Sequence, residues 1–221
     1  MRYVQKGEEP ASLIQYKKSA HAYFDGYPDK DDVRETLLKE QGFLCGYCMR
    51  RLNAVSDVKI EHVVPQSELK RDERKALDYR IMLGVCYGNE GMGHGRKSLT
   101  CDAHRGDDDI YVTPYEIHNI EQITYDSEGR ITSEDENIRK TVEETLNLNY
   151  DGPDAYLVQN RRDALNECKA KLRDMQENGT WKKSNLRKIL NHYMNQDKDG
   201  KCIPYSGIVI DYIKRKLDKA E

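Results

Sequence analysis

The residues best suited to chemistry are four cysteines that enclose a Glu-His step. The cysteines fall into a CxxC pair and a later pair, and the segment KIEHVVP lies between them at 59–65: Cys45, Cys48, Cys86 and Cys101. A CxxC turn lets two thiolates reach one ion, and two further thiolates complete the tetrahedral sulfur set that Zn²⁺ favours. An all-sulfur site of this kind has no open position. The spacing therefore predicts a structural zinc knuckle.

Two disulfides or buried free thiols are the alternatives, because cysteine is among the most frequently buried residue types. Residues 1–9 lack the apolar region of a secretory signal, and no run of 18 apolar residues occurs, so we expect a cytoplasmic chain without a membrane span. A reducing compartment favours metal over disulfides. Cys168 and Cys202 lie outside the pattern and are expected to be packing thiols. His94 is a less favoured substitute ligand.

The Glu61-His62 step carries the predicted catalysis. A neutral imidazole can take a proton from water near neutral pH, and a carboxylate beside it can hold a hard cation. Asp102 lies at the apparent start of a short helix, with His104 and Arg105 within one turn. A structural histidine is the ordinary interpretation of a lone Glu-His pair, so the cysteine frame is what favours an active site.

Local patterns predict the elements that position these residues. Asp31-Asp32 before an apolar stripe predicts a helix that ends at Gly42, and the β-branched segment 58–64 predicts a strand with Glu61 and His62 on opposite faces. A surface helix or loop is expected over 67–77, a glycine-rich loop before Cys101, and a hairpin from 123–125 and 130–132. Apolar positions at three- and four-residue steps predict helices over 137–146, 156–176, 185–195 and 208–217.

These motifs resemble those of the HNH endonucleases, a family with a ββα-metal active site. The resemblance covers residues 41–106, through QGFLCGYC at 41–48, IEHVVPQS at 60–67 and Cys101-Asp102. With LNLN at 146–149, the chain is most similar to the HNH subunits of Septu-type bacterial antiphage systems, including retron-linked ones. The expected fold is α+β: a ββα-metal nuclease core with a structural zinc knuckle, an N-terminal helix and a C-terminal helical region.

The resemblance implies roles for particular residues. His62 would be the general base that activates water, and Glu61 and Asp102 would bind a catalytic Mg²⁺ or Mn²⁺ ion. Arg105 would contact a phosphate of the substrate, and His104 would be a ligand, a phosphate donor or a surface residue. The substrate would be nucleic acid, DNA by the family's example or transfer RNA in retron-linked members. An ABC-type ATPase subunit would be the partner.

Two features depart from that family. The segment 80–83 reads Arg-Ile-Met-Leu where the family has an Asn-Leu step, and the loop between Cys86 and Cys101 is long and rich in glycine. The net charge of -3 is also unusual for a protein that binds nucleic acid alone, so the basic residues are segregated or a partner supplies them. A zinc-stabilised adaptor with a decayed nuclease centre is therefore the alternative function.

The predicted organisation has three parts. Residues 1–30 form an N-terminal arm, 31–133 the zinc-knuckle nuclease core, and 134–221 a helical region. That helical region either docks a partner or packs on the core.

Overall fold

Helices and two small sheets make up the chain, which is described over residues 1–93 and 95–219 in a computed structural model. This mixed architecture confirms the predicted α+β class. His94, the less favoured zinc ligand, lies outside the described residues. The α-helices are α1 (Ala11–Tyr16), α2 (Lys30–Glu40), α3 (Gln66–Leu69), α4 (Cys101–Arg105), α5 (Ile117–Glu121), α6 (Glu136–Lys140), α7 (Leu157–Glu177), α8 (Lys183–Met194) and α9 (Ser206–Asp218).

Both sheets are antiparallel pairs. Strand β1 (Lys59–His62) pairs with β2 (Met82–Val85), with Lys59 opposite Val85 and His62 opposite Met82. Strand β3 (Ile123–Tyr125) pairs with β4 (Ile131–Ser133), as the hairpin prediction required. Every residue of β2 is buried, whereas most of β1 is half-buried. The first sheet therefore turns β2 to the interior and leaves β1 near the surface.

Helix α2 delivers the chain to the CxxC turn. Its predicted apolar stripe, which includes Leu37, is buried and packs near β2. The side chain of Gln41, just after the helix, donates to the Gly84 carbonyl at 2.7 Å and accepts from the Gly84 N–H at 2.7 Å. Its amide also donates to the Leu44 carbonyl at 2.9 Å. One buried side chain thus ties the middle of β2 to the start of the cysteine turn.

The main apolar core runs continuously through the parts that the sequence analysis separated. It includes Tyr47 of the cysteine turn, Ile131 of the hairpin, Leu165 of α7 and Ile213 of α9. A smaller cluster joins the N-terminal arm, through Leu13, to α2 and β2. The three-part division remains a prediction.

The C-terminal helices agree with the predicted ranges to within two residues, except for the first. There the α-helix ends at Lys140 and continues as one π-helical turn, Thr141–Thr145. The Thr141 hydroxyl donates to the Asn137 carbonyl at 3.0 Å and accepts from the Tyr111 N–H at 3.0 Å. Such side-chain bonding to the preceding turn competes with regular helix hydrogen bonds, and it accompanies the wider turn here.

None of the helices in the described ranges is long and apolar enough to cross a membrane.

Candidate metal centre and active-site cleft

The four predicted zinc ligands come together from three elements. Two lie in the turn after α2, one directly follows β2, and one begins α4: Cys45, Cys48, Cys86 and Cys101. All four thiols are buried, and their sulfur atoms lie within 4.8 Å of one another. The turn is closed by the Met49 N–H, which donates to the Cys45 carbonyl at 3.0 Å. The Cys86 N–H donates to the Cys45 sulfur at 3.3 Å.

The sulfur spacing fits a tetrahedral zinc ion. With Zn–S bonds of about 2.3 Å, the edge of a regular tetrahedron is about 3.8 Å. The Sγ distances are 3.9 Å for Cys45–Cys101, 3.8 Å for Cys48–Cys86 and 3.8 Å for Cys86–Cys101. These separations are far longer than a disulfide bond of about 2.05 Å, and every described cysteine is a free thiol. The cluster can therefore bind a structural metal such as zinc.

Glycine is required inside the turn. A Cβ atom on Gly46 would lie 2.6 Å from the side chain of buried Leu83 on β2. The Gly46 N–H donates to the Gly84 carbonyl at 3.0 Å, which keeps the turn against that strand. A larger residue here would require the Leu83 side chain or the turn itself to shift.

A cleft of about 810 Å³ opens between β1 and α4. Glu61, His62, Asp102 and Arg105 all line it. The tertiary structure therefore brings together the predicted catalytic residues from β1 and α4.

The two predicted metal-binding carboxylates are close neighbours. Burial and the adjacent Asp102 carboxyl group raise the pKa of Glu61 to about 8, against the opposing effect of Arg105. The Tyr47 hydroxyl donates to Glu61 at 3.1 Å. A hard divalent cation takes carboxylate oxygens as ligands, so a cation bound here would favour the ionised form of Glu61. Binding of Mg²⁺ or Mn²⁺ by Glu61 and Asp102 remains a prediction.

His62 is held in one orientation. Its Nε2 lies 2.9 Å from the Ala76 carbonyl, which can only accept, so Nε2 carries the proton and Nδ1 keeps the lone pair. The ring also meets Phe24 edge-on, with the centroids 4.6 Å apart. Burial is the main cause that lowers the pKa of His62, so the imidazole is neutral near pH 7. A neutral, oriented ring is the form that can accept a proton from water.

Arg105 braces the site from within. Its side chain is 2% exposed, and it donates to the Glu61 carboxylate and to the carbonyls of His62 at 2.7 Å and Val63 at 3.3 Å. Its Nε also donates to the Asp108 carbonyl at 2.7 Å. These bonds join α4 to the end of β1. Contact between Arg105 and a substrate phosphate remains a prediction. In this structure its N–H groups bond to acceptors within the protein.

Lys59 brings a second cation to the carboxylates. Its Nζ lies 2.8 Å from Asp102 and 2.8 Å from Glu90. Partial burial opposes the charge, but these two partners outweigh it and raise the pKa of Lys59 above its ordinary value. Lys59 precedes Glu61 by two residues, so both side chains share one face of β1. Each predicted metal-binding carboxylate thus has its own internal cation.

His104 points elsewhere. Its Nδ1 lies 3.0 Å from the Thr145 carbonyl at the end of the π-helical turn. Among the described residues, His104 is not part of the cleft lining. The three roles considered for it remain predictions, although a hydrogen bond to the C-terminal region gives this ring a structural partner.

Some residues of the cleft escaped the sequence analysis. The alternation of side chains along β1 could have indicated Lys59, because Lys59 lies on the same face of the strand as Glu61. Tyr47 lies inside the CxxC turn, but nothing there shows that its hydroxyl reaches the carboxylate. Glu90 and the Ala76 carbonyl reach Lys59 and His62 only because of how their loops fold. No local sequence pattern predicts these contacts.

Comparison with known protein families found no match to this chain, and comparison with curated proteins also found none. The functional assignment therefore depends on the geometry of the site and on the sequence motifs.

Proposed function

We propose that this protein is a metal-dependent HNH-type endonuclease that hydrolyses phosphodiester bonds in nucleic acid. The observation that carries the proposal is the cleft, which is lined by Glu61, Asp102 and a histidine, His62, whose Nε2 is bonded to the Ala76 carbonyl so that Nδ1 keeps the lone pair. His62 accepts the proton of a water molecule at Nδ1. The water oxygen bonds to phosphorus as the P–O bond to the leaving ester oxygen breaks. The leaving oxygen takes a proton from solvent, and the proton held by His62 is returned to solvent.

Glu61 and Asp102 would hold the divalent cation, which supplies charge stabilisation at the phosphate when bound. Arg105 keeps Glu61 and the His62 backbone in place through its four acceptors. The cysteine cluster would bind structural Zn²⁺ and fix α4, which carries Asp102, against β2.

The resemblance to Septu-type systems supplies the biological part of the proposal. The protein would be the effector of a bacterial antiphage complex and would depend on an ABC-type ATPase subunit for control. DNA is the first substrate to test and transfer RNA the second, because a site that acts on phosphate gives little information about the sugar. The helical region 134–221 would be the docking surface for that subunit.

One observation favours the alternative, a zinc-stabilised adaptor with a decayed nuclease centre. Glu61 is already bound to Arg105, and Asp102 is already bound to Lys59. Carboxylates that are satisfied by internal cations need no metal to be stable in the fold. The adaptor would keep the cysteine cluster and the fold without cleaving nucleic acid.

A cleavage assay separates the two functions. The purified chain, with and without a co-expressed ATPase subunit, is incubated with plasmid DNA or total transfer RNA and Mn²⁺ or Mg²⁺. His62→Ala is compared with His118→Ala, a change at an exposed histidine on α5. The nuclease proposal expects cleavage by the wild type and by His118→Ala, and at least about a hundredfold loss in His62→Ala. Equal cleavage by both variants would remove His62 as the base, and no cleavage in any condition would favour the adaptor.

A further inference from the structure

The ammonium group of Lys59 already occupies a cation position beside the proposed metal site. Its Nζ bridges Asp102 and Glu90, with 2.8 Å to each carboxylate. Asp102 is 13% exposed, so its carboxylate has little access to solvent on other sides. A divalent ion that binds Asp102 must therefore approach a carboxylate that Lys59 now neutralises.

Glu90 is presented by the fixed base of the glycine-rich loop. The Gly88 carbonyl accepts from the Thr100 N–H at 3.0 Å, and the Asn89 amide donates to the Ser98 carbonyl at 2.9 Å. A Cβ on Gly88 would lie 2.0 Å from the Thr100 carbonyl oxygen, so this approach requires glycine. Glu90, two residues after Gly88, is thus held close to Lys59 while its side chain remains 41% exposed.

These contacts give Lys59 two alternative carboxylate partners. A divalent ion and an ammonium group repel each other, and at a distance of about 4 Å in a partly buried site that repulsion is strong. Lys59 can leave Asp102 without becoming unpaired, because Glu90 already accepts one of its N–H groups. The exchange needs a change in one flexible side chain and no change in the backbone.

Building on the proposed nuclease function, we propose that Lys59 competes with the divalent cation for Asp102 and that Glu90 receives the Lys59 ammonium group when the cation binds. Lys59 is then a positioning residue of the metal-free site. It keeps Asp102 in place before the ion arrives, and it sets the concentration of divalent cation that the site requires.

The test is Mn²⁺ binding to the zinc-loaded chain of 221 residues, measured from the electron paramagnetic resonance signal of free Mn²⁺. Lys59→Met removes the competitor, and Lys59→Gln does so with a polar side chain in case the methionine disturbs folding. Lys70→Met is the matched control, because Lys70 lines the same cleft but makes no ion pair with Asp102 or Glu61 among the described residues. Both Lys59 variants should lower the Mn²⁺ Kd by at least about tenfold, whereas Lys70→Met should change it less than about twofold.

Glu90→Gln tests the second half of the proposal. With Lys59 present, loss of its alternative partner should weaken Mn²⁺ binding several-fold. In the Lys59→Met background, the same Glu90→Gln change should have little effect, because no ammonium group remains to be received. Equal weakening in both backgrounds would make Glu90 a ligand of the ion and would overturn its assigned role.

Asp102→Asn separates failure of this inference from failure of the proposed function. If the wild type has an Asp102-dependent Mn²⁺ site and the Lys59 variants bind with unchanged or weaker affinity, competition by Lys59 is wrong and the metal site stands. If neither the wild type nor the Lys59 variants bind Mn²⁺ in a manner that depends on Asp102, the proposed cation site is itself wrong.

Discussion

Replacement of Arg105 by methionine tests how the candidate active-site cleft is held together. The guanidinium group is buried and bonds to one carboxylate and three backbone carbonyls. A hydrogen bond to a charged group contributes about 2 kcal/mol, and each carbonyl bond about 1 kcal/mol, with less from the long 3.3 Å bond to Val63. We therefore expect Arg105→Met to lower the free energy of unfolding by about 4 kcal/mol, in the range for broken buried pairs.

For a chain of this size, that loss corresponds to a fall of about 8–16 °C in Tm. The assay is thermal and urea unfolding of the zinc-loaded protein, followed by circular dichroism. Arg80→Met is the matched control, because Arg80 is 84% exposed and pairs with Asp78 at the surface. That control should leave the urea midpoint almost unchanged. If Arg105→Met lowers stability no more than Arg80→Met does, Arg105 is not the brace that its contacts indicate.

The other predictions concern the metal cluster, the N-terminal arm and His104 of α4. Cys45→Ser should lose bound zinc and most of the folded signal, whereas Cys168→Ser, a change outside the cluster, should keep both in metal analysis and circular dichroism. Burial lowers the pKa of Lys6 from 10.5 to about 8, although the Glu40 carboxylate opposes this shift. Between these two pH values Lys6 binds its proton more fully in the unfolded chain than in the folded one, so the free energy of unfolding rises with pH. The stability difference between wild type and Lys6→Met should therefore move in favour of the wild type from about pH 7.5 to about pH 9.5, and a constant difference would contradict the shift. His104→Ala should retain cleavage to within about threefold, because this ring bonds to the π-helical turn; a loss as large as that of His62→Ala would place it in the reaction.

Much of the local structure could be predicted because its causes lie close together in the chain. The apolar stripe of α2, the turn residues of the β3–β4 hairpin and the periodicity of α7 to α9 are all short-range patterns. The π-helical turn could not be predicted. It involves the Thr141 hydroxyl and the Tyr111 N–H, which are 30 residues apart.

The cysteine cluster could be predicted in part from the sequence. The CxxC spacing predicts that Cys45 and Cys48 can share an ion, because two residues between ligands suffice for a turn. The sequence also offered Cys86 and Cys101 as partners, but a pattern cannot measure a sulfur–sulfur distance. The pairing of β1 with β2 and the start of α4 at Cys101 bring the two pairs to tetrahedral spacing.

By itself, the sequence determined which residues could do chemistry: four thiols for a metal, one imidazole, and the carboxylates of Glu61 and Asp102. How those groups are paired depends on the tertiary structure. In the folded chain, Arg105 pairs with Glu61 and Lys59 pairs with Asp102. The Ala76 carbonyl orients the His62 ring, and His104 bonds to the Thr145 carbonyl and does not line the cleft. The reason is physical: residue type fixes charge and donor capacity locally, whereas burial and the partner of each group depend on segments that meet only after folding.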